Sequence, residues 1–554
     1  VHYAGQKRQA GIVLRSNSSE SNQEKVSQFH YPMLLIHPPV VKPCEPPAGL
    51  AKLSGFMNYH DIPCEVIDAN LEGIMSLLPQ HSGKTNYSRD IKANHTRKSA
   101  KTFADTWTRR AFRDLDNNIS ALTSPRTYTN IDRYRRAVSD VNHALEMSAL
   151  YCGVRLNLSN YLDLNLSPIR SADLIHASET PERNPFYPYF RERLEAALAQ
   201  EEPDVVGFSL NYLSQALCTF AMIGFLRKTC PGVRVVLGGG LVTSWARQPG
   251  WSNPFKGLID DLIAGPGETH LLSMYGMTHH AEHTAPDYTV FPMKSYLSPG
   301  SILPYSASSG CYWGRCAFCP ERAEGNPYRP LAADKVVSDL HALTEKTNPA
   351  LVHLLDNALS PLFLKTMAET SFGVPWYGFA RISSHLTDMD FCLALKHSGC
   401  VMLQLGIESG DQKVLDSMHK GFDLEMSSAA LKTLKMAGIA TYVYLLFGTP
   451  SETILEARKT MNFTVTHSGQ IDFLNCAIFN LPVHGPEANE LETGDFYEGD
   501  LSLYRTFLHP GGWNRDAVRR FLHKEFKRHP AIAAILRKSP PIFTSNHAPF
   551  FVAH

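Results

Sequence analysis

Cys311, Cys316 and Cys319 lie on one short loop, 306–320, directly after an apolar segment, 302–305, that could be a strand. Three thiols so close together cannot all pair with one another as disulfides. Thiolates at this spacing are soft ligands suited to an iron–sulfur cluster or to zinc. Three ligands on one loop, with no obvious fourth nearby, would leave one metal position open for a substrate or cofactor. The competing interpretation is a structural zinc loop whose fourth ligand lies elsewhere, although closed zinc sites usually draw on two ligand pairs.

The chain that must position this loop has 554 residues, too many for one core, so two or three domains are expected. Its 53 Lys and Arg balance 53 Asp and Glu, which argues against a nucleic-acid binder working by bulk charge. No window holds the roughly eighteen apolar residues of a membrane span, so no integral membrane segment is expected. Residues 1–30 are polar and lack an apolar signal core, and are expected to form a disordered leader. Beyond the loop, the remaining cysteines of the eleven are scattered, mostly in apolar surroundings. Free buried thiols point to a reducing, cytoplasmic setting.

Hydrophobic periodicity gives an α/β chain. Buried strands are expected at 32–37, 64–68, 204–210, 233–237 and 261–265, with helices at 49–59 and 213–228. Between them, 81–196 is polar and rich in Arg, Asn and Tyr, and is expected to be a mostly helical insertion. Strands separated by helices, with glycines at their C-terminal ends, fit an open parallel sheet that binds a ligand there. Close backbone approach is what the glycines permit. Residues 281–300 look like a linker. From 301 to 485, strands at 302–305, 351–355, 376–380, 401–407, 441–447 and 473–479 alternate with helices and predict a parallel barrel or partial barrel. The Pro-rich stretch 486–554, with its basic run 515–528, is expected to be a lid or packing extension.

Gly310 before the first cysteine, Phe318 before the third and the βα pattern downstream resemble the radical S-adenosylmethionine (SAM) superfamily. Four residues rather than the family's three separate the first two cysteines, a difference that the Tyr-Trp-Gly-Arg insert accommodates. Upstream, Pro38-Pro39, Gly207-Phe208-Ser209, Gly238-Gly239 and Gly265-Pro266-Gly267-Glu268 occur in the order that resembles the cobalamin-binding domain preceding many radical SAM domains. The Asp-x-His-x-x-Gly motif that supplies a histidine below cobalt in many cobalamin proteins occurs nowhere.

The resemblance implies a Rossmann-like cobalamin-binding domain over 31–280, carrying the insertion, then a partial (β/α) radical SAM barrel over 301–485 and a small C-terminal extension. It implies that Cys311, Cys316 and Cys319 hold a 4Fe-4S cluster whose fourth iron is chelated by SAM. Glu408 and Ser409 match the contacts to the ribose hydroxyls and methionine moiety, and a carboxylate there can accept two hydroxyl hydrogen bonds. Arg381 would clamp the methionine carboxylate. Asp356 and Asn357 fall where the family binds the methionine amino group, without its usual Gly-Gly-Glu. Gly448 and the backbone near Phe318 would flank the adenine. Pro38, Pro39, Ser209, Gly238, Gly239, Gly240, Gly265 and Glu268 would meet cobalamin.

The activity so implied is a C-methyltransferase passing methyl from SAM via cobalamin to an unactivated carbon of a small-molecule, lipid or peptide substrate. It would draw electrons from a reductant such as flavodoxin or ferredoxin, and no nucleic-acid partner is expected. Rearrangement, ring contraction or cyclisation without methyl transfer uses the same modules. From a different class, a cobalamin-binding sensor with a structural zinc loop also stays open. Neither the substrate nor a catalytic side chain is named by the sequence.

Overall fold

The computed structural model of the protein describes residues 33–79, 105–248, 250–277, 283–495, 499–541 and 547–552. The leader expected over 1–30 lies outside the described residues, as does the first part of the insertion, to residue 104.

Two parallel sheets organise the chain. The first contains β1 (Met33–Ile36), β2 (Cys64–Ile67), β5 (Val205–Ser209), β6 (Arg234–Gly238) and β7 (Asp261–Leu262), in the order β2-β1-β5-β6-β7. All four β1 residues are buried, as a central strand covered on both faces requires. The chain leaves β1 towards β2 and returns on its other side as β5, so the strand order reverses between β1 and β5. Ligand crevices in open α/β sheets form beyond the carboxyl ends at such a reversal.

The insertion extends this core. Helix Ile131–Ala149 buries Tyr134, Val138, Val141 and Leu145 in the same cluster as Ile36, Ile74 and Phe208. It is less uniformly helical than expected, because β3 (Val154–Asn157) and β4 (Asn160–Asp163) pair as an antiparallel hairpin. Strands of four residues, half of them polar, leave too short an alternation to recognise. The segment expected as a linker is also packed. Tyr288, Phe291, Tyr296 and Leu297 are buried, and the Tyr296 hydroxyl donates to Asp68 Oδ2 at 2.6 Å.

The second sheet runs β15-β14-β13-β12-β11-β8, all parallel and in chain order: β8 (Ile302–Tyr305), β11 (Leu351–Leu359), β12 (Trp376–Ala380), β13 (Cys400–Glu408), β14 (Ala440–Phe447) and β15 (Phe473–Ile478). It is a partial barrel with helices outside. The tiny antiparallel pair β9 (Ser308–Ser309) and β10 (Arg329–Pro330) closes the base of the cysteine loop. Beyond the barrel, β16 (Leu481–Pro482), β17 (Thr493–Asp495) and β18 (Tyr504–Phe507) form a small antiparallel sheet. Phe521 and Phe526 follow it and pack on Phe447 at the end of β14. His547 packs on Tyr442 and Phe473, at the opposite end of the barrel strands. No helix among the described residues is long and apolar enough to cross a membrane, and all eleven cysteines are free.

Candidate functional site

The cysteine loop hangs from the C-terminal end of β8 and is clamped by side chains that arrive from later in the chain. Trp313, inside the longer first spacing, donates from Nε1 to the His419 carbonyl at 2.8 Å. Its ring packs against the turn at Gly421, where a Cβ would overlap the indole. Ala317 N donates to the Met418 carbonyl at 3.0 Å. The Arg381 guanidinium sits 4.2 Å from the Trp313 ring centroid, donates to the Lys420 carbonyl, and reaches Cys316 Sγ at 3.7 Å. A cation held over an aromatic face and against a sulfur is suited to neutralise a thiolate. Lys420 is 4 % exposed, places Nζ 3.2 Å from Glu408 Oε1, and lies over the Phe318 ring at 5.4 Å.

The three thiols fit the group that the resemblance implies. They are close enough for Cys319 to feel the charge of both other sulfurs. Among the described residues, however, no three His, Cys, Asp or Glu side chains converge as the ligands of one ion do. A cluster in which each iron takes a single sulfur needs its ligands set further apart than a zinc ion does. Two cations, Arg381 and Lys420, face the loop to offset the negative charge that three thiolates would bring.

Around the loop the expected SAM contacts separate. Glu408 ends β13 in a left-handed backbone conformation, φ +67°, uncommon for a glutamate and the kind of outlier often found where a side chain must be aimed. Asn357 is exposed and donates from Nδ2 to the Gly310 carbonyl at 3.4 Å, beside the loop. Gly448 ends β14, and its N–H donates to Glu452 Oε2 at 2.5 Å.

Three of the expected SAM contacts are engaged by the protein itself in this structure. Ser409 is fully buried, bonded to Thr460 Oγ1 at 3.1 Å and accepting from Asp411 N, so it braces a turn instead of facing the loop. Asp356 is turned inward: it accepts from Ala307 N at 3.0 Å and from the Ser308 hydroxyl, and burial raises its carboxyl above the usual range. Arg381 is occupied by the loop, so it supports the cysteines instead of offering a free fork to a carboxylate.

At the ends of the first sheet lies a cavity of about 230 Å³. Ser209, Gly238, Gly239, Gly265 and Glu268 line it, with Lys52 paired to Glu268 at 2.5 Å. Gly239 has φ +112°, and a Cβ there would overlap the Leu210 backbone, so only glycine lets the chain pass. A mostly apolar cavity lined by Leu35, Leu50, Val236 and Ile263 and by glycine backbone suits a planar ring system carried on a flexible arm, and cobalamin's nucleotide tail is such a group.

Pro38, Pro39 and Gly240, also expected to meet cobalamin, do not line this cavity. Pro38 and Pro39 are buried outside this cavity, where the Pro38 carbonyl accepts from Gln215 Nε2 at 2.7 Å. Gly240 lines a separate cavity between the first sheet and the residues just after Cys319. Sequence reasoning missed Trp313, Lys420, Lys52 and Asn211. Asn211 joins two strand ends by donating to the Ser209 hydroxyl and accepting from Gly240 N, at 3.0 and 2.9 Å. Only Trp313 carried a signal, as part of the unusual spacing.

A three-thiol loop at the mouth of a parallel partial barrel is the arrangement of a radical SAM enzyme, and residues 305–464 match the family model described as Radical SAM superfamily. Among curated proteins the chain is similar to an uncharacterized methyltransferase of Pyrococcus horikoshii, 25% identical over 303 residues, covering 47% of this chain and 64% of that protein. It is also similar to the anaerobic magnesium-protoporphyrin IX monomethyl ester cyclase of Rubrivivax gelatinosus, 23% identical over 208 residues, covering 36% of this chain and 37% of that one. The matches thus span less than two thirds of these relatives' lengths. Among solved structures, the radical S-adenosylmethionine methyltransferase TsrM of Kitasatospora setae, bound to tryptophan and a SAM analog, superposes with TM-score 0.51 at 14% identity. That match covers 92% of this chain and 90% of TsrM, a likeness of fold over most of both chains.

Proposed function

We propose that this chain is a cobalamin-dependent radical SAM methyltransferase acting on an unactivated carbon. The observation that carries this reading is the coexistence, in one chain, of the cation-flanked three-thiol loop and a separate glycine-walled cavity at the end of a second parallel sheet. When bound, an iron–sulfur cluster with SAM supplies one-electron cleavage chemistry, and cobalamin supplies a carrier for methyl.

The protein's own residues have definable tasks. Cys311, Cys316 and Cys319 would hold the cluster, and Arg381 and Lys420 would offset its charge. Glu408 and Asn357 would orient SAM at the barrel mouth. The Gly207, Gly238, Gly239 and Gly265 backbone, with Ser209, would admit the cobalamin tail. Packing of 283–300 and of the C-terminal extension against the barrel would exclude water and oxygen from the space between. A small-molecule, lipid or peptide substrate, a flavodoxin- or ferredoxin-type reductant and a cytoplasmic location complete the reading.

The test is an anaerobic assay for 5′-deoxyadenosine and S-adenosylhomocysteine with and without cobalamin. Both products, dependent on cobalamin and on an added substrate, are expected. Because some relatives are named cyclases, product mass is the deciding readout against rearrangement: a gain of one methylene unit supports methyl transfer. Deoxyadenosine alone would move the reading to cyclisation or rearrangement.

A further inference from the structure

A cavity of about 420 Å³ opens between the ends of β14 and β15 and the C-terminal extension. Its charged lining is unbalanced, with Arg505, Arg515 and Arg519 against Asp516 as the sole carboxylate. Asp516 is held at the rim by Arg519 at 3.1 Å, where both side chains are largely exposed. Arg515 is fixed by the Phe479 carbonyl at 2.9 Å and by Asn480 Oδ1 at 2.6 Å, which aligns its guanidinium with the end of β15. Arg505 is exposed on β18, between Leu481 of β16 and Asp495 of β17 in the strand register.

The remaining wall is aromatic. Phe479 and Phe507 meet at 5.7 Å between ring centroids, and Trp513 lies beside them. His509 is held at both ring nitrogens: Nδ1 accepts from Gly511 N and Trp513 N, and Nε2 bonds the Thr449 carbonyl at 2.8 Å. Across β18, the cavity of about 320 Å³ next to the cysteine loop carries Glu321 and Glu324 and neither Arg nor Lys. The two cavities that meet β18 therefore differ in the sign of their charged lining.

We infer that the arginine-lined cavity binds an oxyanion of the substrate, a phosphate or a carboxylate, and packs the adjoining planar part of that substrate against Phe479 and Phe507. Guanidinium forks match both oxyanions, and an aromatic wall rewards a flat neighbour. The cavity begins at Gly448, so a substrate anchored there extends towards the barrel mouth. This inference rests on the proposed function only in calling the occupant the substrate.

The test is phenylglyoxal labelling of arginine, read by peptide mass spectrometry on the reconstituted full chain, with inorganic phosphate or with benzoate. Labelling of Arg505, Arg515 and Arg519 should slow at least about threefold with one of the two probes, the effective probe naming the oxyanion. In the R505Q/R519Q double variant, which alters exposed side chains only, protection of Arg515 should disappear. SAM retention, measured on the same samples, should be unchanged by the double variant. Absence of protection by either probe, or protection of Arg515 that survives both substitutions, would overturn the site. Loss of SAM retention in the double variant would instead assign these arginines to the cofactor. Failure of the unaltered chain to retain SAM would count against the proposed function without touching the oxyanion result.

Discussion

The two strand-end sites are made by opposite means. At the first sheet, space exists because side chains are missing: Gly207, Gly238, Gly239 and Gly265 leave backbone as the wall. At the barrel, the site exists because side chains from distant segments grip a loop, with Arg381, Lys420 and Trp313 meeting around Cys316. The first should therefore fail when atoms are added, and the second when atoms are removed.

The largest effect is expected at Lys420, whose removal strands a largely buried Glu408 without its cation. Lys420→Met should cost about 3–5 kcal/mol in urea unfolding, while Glu408→Gln in the same background should recover part of the loss. An equal loss in both would show that the pair is not what holds the loop.

Next is Glu452, fully buried, bonded to Gly448 N and to Trp513 Nε1 at 2.8 Å, with burial pushing its carboxyl up to about 7. A folded-state value above the unfolded one means that the native protein binds the proton more tightly. Its stabilising contribution is therefore complete at low pH and falls as pH rises from the usual glutamate range to about 7. The loss should be on the order of 3 kcal/mol. Glu452→Gln should flatten this part of the stability–pH curve, and an unchanged slope would contradict the assignment.

A smaller cost, about 1–3 kcal/mol, is expected for Gly239→Ala, from a left-handed backbone and overlap with Leu210. Cobalamin retention, followed by absorbance, should fall much further than stability does, and retention at the original level would break the contrast between the two sites. The smallest effect belongs to Ser409→Ala. About 1 kcal/mol should go with its hydrogen bonds, leaving SAM affinity intact. A large loss of SAM affinity would restore Ser409 to the cofactor site.

The same contrast explains what the sequence made legible. Glycines at strand ends and closely spaced cysteines are local signals, so both sheets, the glycine-rich strand ends and the three-thiol loop could be read from spacing and periodicity. The clamp was not legible, because Trp313 and Lys420 lie far apart in the chain and meet only through the barrel's curvature. Ser409 follows β13 in a turn and Asp356 lies inside β11, which runs further than expected, and in both cases the side chain points into the protein. The packing of residues 283–300 was not legible for a related reason: isolated aromatics without a period can still be buried by tertiary contacts.

The most direct measurement is iron and acid-labile sulfide per chain after anaerobic reconstitution, with the electron paramagnetic resonance spectrum of the reduced protein recorded before and after SAM is added. Three thiols holding a cluster with one open iron predict about four irons and four sulfides per chain, a spectrum that changes on adding SAM, and loss of all three in the C311A/C316A/C319A variant. Zinc without sulfide, or a reduced cluster whose spectrum ignores SAM, would contradict the assignment of Cys311, Cys316 and Cys319.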